Sequence, residues 1–410
     1  MSRPEVESVA WPNAPESASE QARQLLTFAL LHKLPVALWR LPGTERPQLC
    51  LSFSAEAALT GLPPALTPEA PAGFAFFPFR DSDHNPALFL PADVFWDADR
   101  PTELQLSTTA SSAVALRAFL ASPEELADGQ LPWHLSSQPL PHTATQSEYA
   151  ALVETGVEAI RSGEVLKVVS SRAARRPLPA GFDALRAFES LCQRYPQAFV
   201  SLVSAPGAGT WLGASPEVLV TIDEAGIFRT MALAGTQPLT PGMLPSQAIW
   251  RQKEIEEQAL VSRYIVSCFK QLRLREYDET GPRTAVAGEL LHLRTDFAVN
   301  LRTVPFPTLG TDMLRLLHPT SAVGGMPRQA ALEFLHRHEG YDRAYYSGFL
   351  GPVNLPQRGV ARLFVNLRCL QLRPPEAVLY AGTGLTADSD PAREWSETEM
   401  KLSTVAAALR

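Results

Sequence analysis

The sequence predicts an α+β protein built on antiparallel sheets. Three observations carry this. Strand-like and helix-like segments mix without the regular strand–helix–strand rhythm of a doubly wound parallel sheet. Strand candidates in the middle of the chain are joined by short turns, PGAG (206–209) and DEAG (223–226). No Walker-type or G-x-G-x-x-G phosphate loop is present.

The polar, Pro-rich first twenty or so residues read as a mobile tail. Ser17-x-x-Glu20 has the spacing of a capping box and opens a helix to about Lys33. PVALWRLPG and QLCLSFS follow as strands. Residues 62–142 are rich in Pro and small residues, with strand-like pieces FAFFPF and ALFLP, and read as sheet plus loops without chemistry. A second box, Thr145-x-x-Glu148, opens a helix with Tyr149, Leu152, Val153, Val157 and Ile160 on one face. Ser162-Gly163 ends it. The strand EVLKVVSSR (164–172) comes next. Period two puts Val165, Lys167 and Val169 on one face and Leu166 and Val168 on the other. Both faces are apolar, so a lysine sits inside a buried strand. FVSLVS, WLGASPEVLVTI and IFRTMALAG read as strands, and Gln247–Arg275 as a long helix. The strand LLHLRTDF, a helix near Arg328–His336, and strands YYSGFLG, VARLFVNLRCLQL and AVLYAGTGL follow. A last helix starts near Pro391.

The chain has 410 residues, 45% hydrophobic and 19% charged, which is ordinary for a globular protein with a large core. Its net charge of −7 argues against a general affinity for nucleic acid or an anionic membrane. A small anionic substrate remains compatible, because a basic pocket can sit on an acidic protein. Cys50, Cys192, Cys268 and Cys369 are too scattered for a metal knuckle or a redox pair and read as buried free thiols. The N-terminus has no signal-peptide core, and the apolar run Leu25–Trp39 is broken by His32, Lys33 and Pro35. A soluble cytoplasmic protein is expected.

Several residues could carry chemistry. Glu254 and Glu257, and again Glu394 and Glu397, are spaced i, i+3 on helices. If the two helices face one pocket, four carboxylates converge and Mg²⁺ is the natural neutraliser; the same spacing also describes a solvated helix face. Glu217, after a Pro turn and before an apolar strand, can be partly desolvated, which suits a general acid, or can cap a turn in solvent. Gly382-x-Gly384 after a strand can present backbone N–H groups to a carboxylate, or be only a turn. LAGT (233–236) is a similar small-residue turn. Arg368 inside a strand suggests a carboxylate clamp. His292 is either a satisfied core histidine or a hydrogen-bond donor in a pocket.

Taken together and in order, these motifs resemble the chorismate-utilising enzymes, which include isochorismate, salicylate, anthranilate and aminodeoxychorismate synthases. The pieces are KVVSSR (167–172), GASPEVLV (213–220), LAGT, HL (292–293), HPTSAVGGMP (318–327), YDRAYYSGFLG (341–351), LRC (367–369), AGTGL (381–385) and DPAREWSETEMKL (390–402). They cover roughly residues 145–405. The resemblance implies one unit of two stacked antiparallel sheets flanked by helices, with the site between the layers. Residues 143–410 would form the chorismate-binding catalytic region. Residues 1–142 would be a variable region packed on the same unit. Glu257 and Glu394 match the family's Mg²⁺-binding glutamates, with Glu254 and Glu397 beside them, and the metal would hold the ring carboxylate of chorismate. Arg368 and the backbone of Gly382 and Gly384 match the groups that hold the pyruvyl carboxylate. Tyr346 matches an aromatic position beside the substrate, and Lys401 a cation near the metal. Thr236, His292 and Ala322 fall among the other substrate-contacting positions. Glu217 matches the general acid.

Lys167 selects the branch. Members that transfer ammonia usually have glutamine there, and members that add water have lysine. Water is a poor nucleophile and needs a base. A lysine on an apolar strand face loses solvation of its charged form, so it is expected to become neutral more readily and take a proton from water. Ala322 stands where pyruvate-eliminating members usually have Thr. The resemblance therefore implies an isochorismate synthase rather than a salicylate synthase or a non-catalytic chorismate-binding protein. It would act as a monomer without a glutaminase subunit and feed menaquinone or siderophore biosynthesis. Gln258 and Gln237 depart from the family's usual His and Arg.

Overall fold

The computed structural model describes residues 6–11, 14–54, 63–107, 111–124, 126, 129–239, 242–287 and 290–409. The first part of the chain forms β1 (Val6–Ala10), α1 (Ala18–Leu31), β2 (Val36–Arg40), β3 (Gln48–Leu51), β4 (Gly73–Phe77), β5 (Leu88–Pro91), β6 (Val94–Asp97), β7 (Glu103–Ser107) and α2 (Ser111–Ala121). The middle forms α3 (Gln146–Arg161), β8 (Lys167–Pro177), α4 (Ala184–Arg194), β9 (Phe199–Ala205), β10 (Gly209–Ser215), β11 (Val218–Ile222), β12 (Ile227–Pro238) and α5 (Gln252–Gln271). The last part forms β13 (Asp278–Ala287), β14 (Leu290–Asn300), α6 (Leu309–Leu317), β15 (Gly325–Met326), α7 (Arg328–His338), β16 (Phe349–Val353), β17 (Ala361–Val365), β18 (Cys369–Arg373), β19 (Glu376–Leu385) and α8 (Pro391–Ala406).

Side-chain caps set the helix starts. Thr145 and Glu148 form the full reciprocal box on α3, while Ser17 caps α1 from one side, accepting from the Glu20 N–H. Asp183 and Asp390 cap α4 and α8 by accepting from the backbone N–H three residues on.

Two antiparallel sheets result. One has the order β1-β7-β6-β3-β2-β9-β10-β18-β19-β8-β15, the other β13-β14-β12-β11-β17-β16-β4-β5. Strands from the first 107 residues join both sheets. The interior between the layers is aromatic: Phe199 of one sheet stacks on Phe364 of the other at 4.2 Å between ring centroids. Phe76 stacks on Tyr345 at 4.1 Å and meets Trp211 edge-on. Helices α1, α2, α4 and α8 cover the outer face of the larger sheet, and α5 and α6 that of the smaller. Among the described residues no helix is long and apolar enough to cross a membrane.

The structure corrects several expectations. Residues 6–10 are not tail but an edge strand paired with β7, and Trp11 after them is buried. Helices α2, α4 and α6 were not read from the sequence. Helix α5 begins at Gln252, where Arg251 N–H donates to the Glu254 carboxylate at 2.8 Å. The strand in EVLKVVSSR begins only at Lys167. Leu166 is exposed, and Val165 packs with Val168 and Tyr149 in a separate cluster, so Val165 and Lys167 do not share a strand face. Cys192 is half-buried; the other three cysteines are buried, and all four are free.

The largest correction concerns two segments read as single long strands. WLGASPEVLVTI breaks at Pro216-Glu217, with β10 in one sheet and β11 in the other. VARLFVNLRCLQL breaks at Asn366–Arg368, with β17 in one sheet and β18 in the other. The two crossings lie side by side, since β10 pairs with β18 and β11 with β17. Val365 N–H donates to Glu217 C=O and Ala214 N–H to Arg368 C=O, both at 3.0 Å.

Candidate active site

A pocket opens at this seam. Its wall includes Glu217, Thr236, Glu257, His292, Ala322, Tyr346, Arg368, Gly382, Gly384 and Lys401. The sheets cannot ladder continuously where the chain changes layer, so backbone spacing there leaves room for side chains. Arg368 turns the second crossing with φ +50°, a left-handed conformation unusual for a residue with a Cβ. It therefore lies between two strands rather than inside one.

Lys167 opens β8 and is fully buried, with its Nζ 3.0 Å from Glu257 Oε1. The contact is a buried ion pair, and Glu257 is the carboxylate that faces the amine. The expected purely apolar setting does not hold: a carboxylate from α5 faces this amine. Burial pushes the Glu257 carboxyl up, but Lys167, Lys253 and Lys401 together outweigh burial and hold it below its ordinary value.

Glu217 is buried at the first crossing. Burial raises its pKa to about 7, against the opposing pull of Lys167, Lys401 and Arg368. A carboxyl with that pKa exists in both forms near neutrality and can give up a proton there.

His292 on β14 is buried and neutral. Burial, with the Arg368 charge beside it, lowers its pKa to about 3. Its Nδ1 lies 2.8 Å from Gly235 C=O, which fixes the proton on Nδ1. Nε2 is then an acceptor, 3.4 Å from Arg368 Nη2. The ring faces the guanidinium as an acceptor, so it is not the pocket donor considered from the sequence. Burial lowers the Arg368 pKa to about 10. Among the described residues no carboxylate pairs with it.

Gly382 and Gly384 sit inside β19, opposite Ser171 and Val169 of β8, rather than in a turn beyond the strand. Their role is space. A Cβ on Gly384 would lie 2.2 Å from Glu257 Oε1, and one on Gly382 would lie 2.6 Å from Ser170 C=O and 3.1 Å from the Tyr346 hydroxyl.

Helix α8 is held over β8 by Arg172, which lies 3.6 Å above the Trp395 ring and donates from Nε to Thr398 at 2.8 Å. This places Glu394 and Glu397 near α5. Lys253 Nζ is 2.5 Å from Glu394 Oε1, and Lys401 Nζ is 2.7 Å from Glu397 Oε1 and 2.8 Å from Gly382 C=O. Burial, with Glu397 nearby, raises the Glu394 pKa despite Lys253. Glu394 Oε2 is buried with no hydrogen-bond partner. An orphaned carboxylate oxygen of this kind, with Glu257 on the facing helix, fits a hard divalent cation. Glu254 is drawn away, since its carboxylate closes the first turn of α5. Among the described residues no three His, Cys, Asp or Glu side chains already stand at ligand spacing.

Sequence reasoning missed Lys253, although it directly precedes the paired glutamates. Gln258 points away from the pocket: its Nε2 donates to Ala232 C=O at 3.2 Å and Thr295 at 3.0 Å, tying α5 to the smaller sheet. Gln237 Nε2 is buried without a partner.

A family model described as "Chorismate binding enzyme" matches residues 65–410. The salicylate biosynthesis isochorismate synthase of Pseudomonas aeruginosa is 34% identical over 267 residues, which are 64% of this chain and 54% of that protein. Isochorismate synthase EntC of Escherichia coli K12 is 29% identical over 265 residues, 63% of this chain and 66% of that protein. The chain thus matches between about half and two thirds of the length of these relatives. The solved structure of MenF, the menaquinone-specific isochorismate synthase from Escherichia coli, superposes with a TM-score of 0.74 at 21% identity, covering 99% of this chain and 95% of that one.

Proposed function

The chain belongs to the family of chorismate-binding enzymes, and from that premise we propose that it is an isochorismate synthase, converting chorismate to isochorismate. The observation that carries this reading is Glu217, a buried acid in the pocket wall with a pKa of about 7. The buried Lys167 amine lies 3.0 Å from Glu257 of the same wall and acts on the Glu217 charge.

In this reading Lys167 takes a proton from a water molecule whose oxygen bonds to C2 of the ring. The ring double bonds shift and the C4–O bond breaks. Glu217 gives its proton to the departing hydroxyl, which leaves as water. One water enters and one leaves, so the reaction is an isomerisation. Lys167 ends protonated and Glu217 ionised, and proton exchange with solvent restores both. Base and acid act from opposite sides of the ring, and the Glu217 environment suits its task by keeping a proton on the acid near neutrality. Arg368, held by His292, binds the pyruvyl carboxylate, with Tyr346 and the space left by Gly382 beside it. Glu257 and Glu394 would hold Mg²⁺, with Glu397 and Lys401 adjacent. When bound, the ion supplies positive charge for the ring carboxylate and takes up part of the charge of Glu257 and Glu394.

Ala322 in the pocket wall supports stopping at isochorismate, because it offers no hydroxyl where pyruvate-eliminating members usually have Thr. Lys167, rather than glutamine, supports water as the nucleophile and argues against a glutaminase partner. Residues 143–410 carry every group in this scheme. The product feeds menaquinone or siderophore biosynthesis, with the isochorismate synthases among the relatives as the support. The test is incubation of the purified protein with chorismate and Mg²⁺, followed by separation of the products. Isochorismate without pyruvate is expected. Salicylate with pyruvate replaces the reading by a salicylate synthase, and no turnover replaces it by a binding role.

A further inference from the structure

A second, larger cavity of about 520 Å³ adjoins the first at Arg368 and His292. It shares Pro216, Leu233, His292 and Arg368 with the pocket described above. We infer that it is a second ligand site, for a planar aromatic monocarboxylate.

The lining gives the ligand class. Val218, Met231, Leu233 and Phe364 supply an apolar surface from the smaller sheet, suited to a flat ring system. At the inner end stands the Arg368 guanidinium, only 7% exposed. Its contacts to Thr404 Oγ1 and His292 Nε2 are both 3.4 Å long. Charge-assisted hydrogen bonds run to about 2.7–2.9 Å, so this buried cation is weakly satisfied. Thr404 and His292 both line the larger cavity, so these N–H groups point along its wall. At the rim, Arg283 and Arg294 share one carboxylate, Asp296, each at 2.6 Å. That trio carries one net positive charge. A phosphate would find its hydration stripped by the apolar floor, whereas a carboxylate on an aromatic body matches both ends.

Two ligands cannot both bind Arg368 through the same donors. Occupancy of this cavity therefore competes with a carboxylate held in the first pocket, although Met231, Ala285 and Phe364 line this cavity and not the first.

The experiment uses 2-naphthoate as the probe and calorimetry on the whole chain. Ala285 lies on edge strand β13, directly across from His292, and lines the cavity without contributing to the first pocket. Wild type is expected to bind 2-naphthoate, and Ala285→Trp to bind it at least ten-fold more weakly while its chorismate KM is unchanged. Ala285→Leu serves as the second variant if the indole unfolds the hairpin. No binding to wild type overturns the proposal, as does undiminished binding to both variants, which puts the acid in the first pocket. Saturating chorismate should raise the apparent Kd of 2-naphthoate; an unchanged Kd overturns it too. Only this competition arm rests on the chorismate reading, and it is read with protein that turns chorismate over. Binding in the other arms without any turnover sinks the proposed function and leaves this site standing.

Discussion

Lys167 and Glu257 meet at 3.0 Å in a wall where the amine has no solvent-exposed surface. If the amine is the base, Lys167→Ala should slow water addition by about 10²–10⁴-fold, the range for one acid–base group. Calorimetry should still show chorismate binding, because Arg368 and Tyr346 are untouched; retained turnover would remove Lys167 from the mechanism. Glu217 gives a pH prediction with a definite sign. Its folded pKa is raised to about 7, and the proposed acid must be protonated. The rate should therefore hold below pH 7 in this limb and fall about ten-fold per unit above it. In Glu217→Gln, a surviving high-pH limb centred near 7 would assign that limb to another group. His292 is a positioning residue, since its free nitrogen faces Arg368. His292→Gln keeps an acceptor there and should restore most of the chorismate KM that His292→Ala loses, with the pH profile unchanged in both. A profile that loses a limb in His292→Gln would show instead that the ring exchanges protons with substrate.

Strand β19 shows how an element shapes a site by what it omits. Gly384 leaves the space that Glu257 fills, because a Cβ at this position would lie 2.2 Å from the carboxylate oxygen and 3.1 Å from Lys167 Cε. Gly384→Ala should push Glu257 aside. Calorimetric Mg²⁺ affinity should drop by about 10–100-fold, the scale seen when ligand-supporting groups are disturbed. Unchanged metal affinity would mean that Glu257 is not a ligand. Helix α8 is placed by Arg172, whose planar guanidinium both stacks on Trp395 and donates to Thr398. The capping signals at Thr145, Asp183 and Asp390 are local, and of these the Thr145 box was legible in the sequence. Asp183 was overlooked although a Pro- and Gly-containing turn, residues 177–181, separates the helix it caps from β8.

The molecule is held together between its layers by aromatic pairs that join opposite sheets. Phe199 is fully buried and stacks nearly parallel on Phe364, at 5° between ring planes. Phe199→Ala should cost about 3–5 kcal/mol, read as a shift of the urea midpoint with little change in slope. A shift below about 1 kcal/mol would mean that the interlayer packing closes around the gap. The same layering makes the site, because its acid and its guanidinium stand where the chain passes between sheets. Loosening the layers should therefore also lower activity in the native baseline.

The sequence by itself determined the antiparallel α+β class and many of the residues that line the pocket, because short motifs such as GASPEVLV and AGTGL keep their residues in local order. Only the tertiary structure decided which charge faces which. Lys253 and Glu394 are 141 positions apart, and no periodicity relates them. The Pro turn before Glu217 is legible, but a strand that changes sheet has the same apolar pattern on both sides of the crossing, so the change of layer there and the break at Arg368 show only when both layers are packed. The neutral, acceptor-only state of His292 likewise follows from the Gly235 carbonyl and the buried guanidinium that folding sets on either side of its ring.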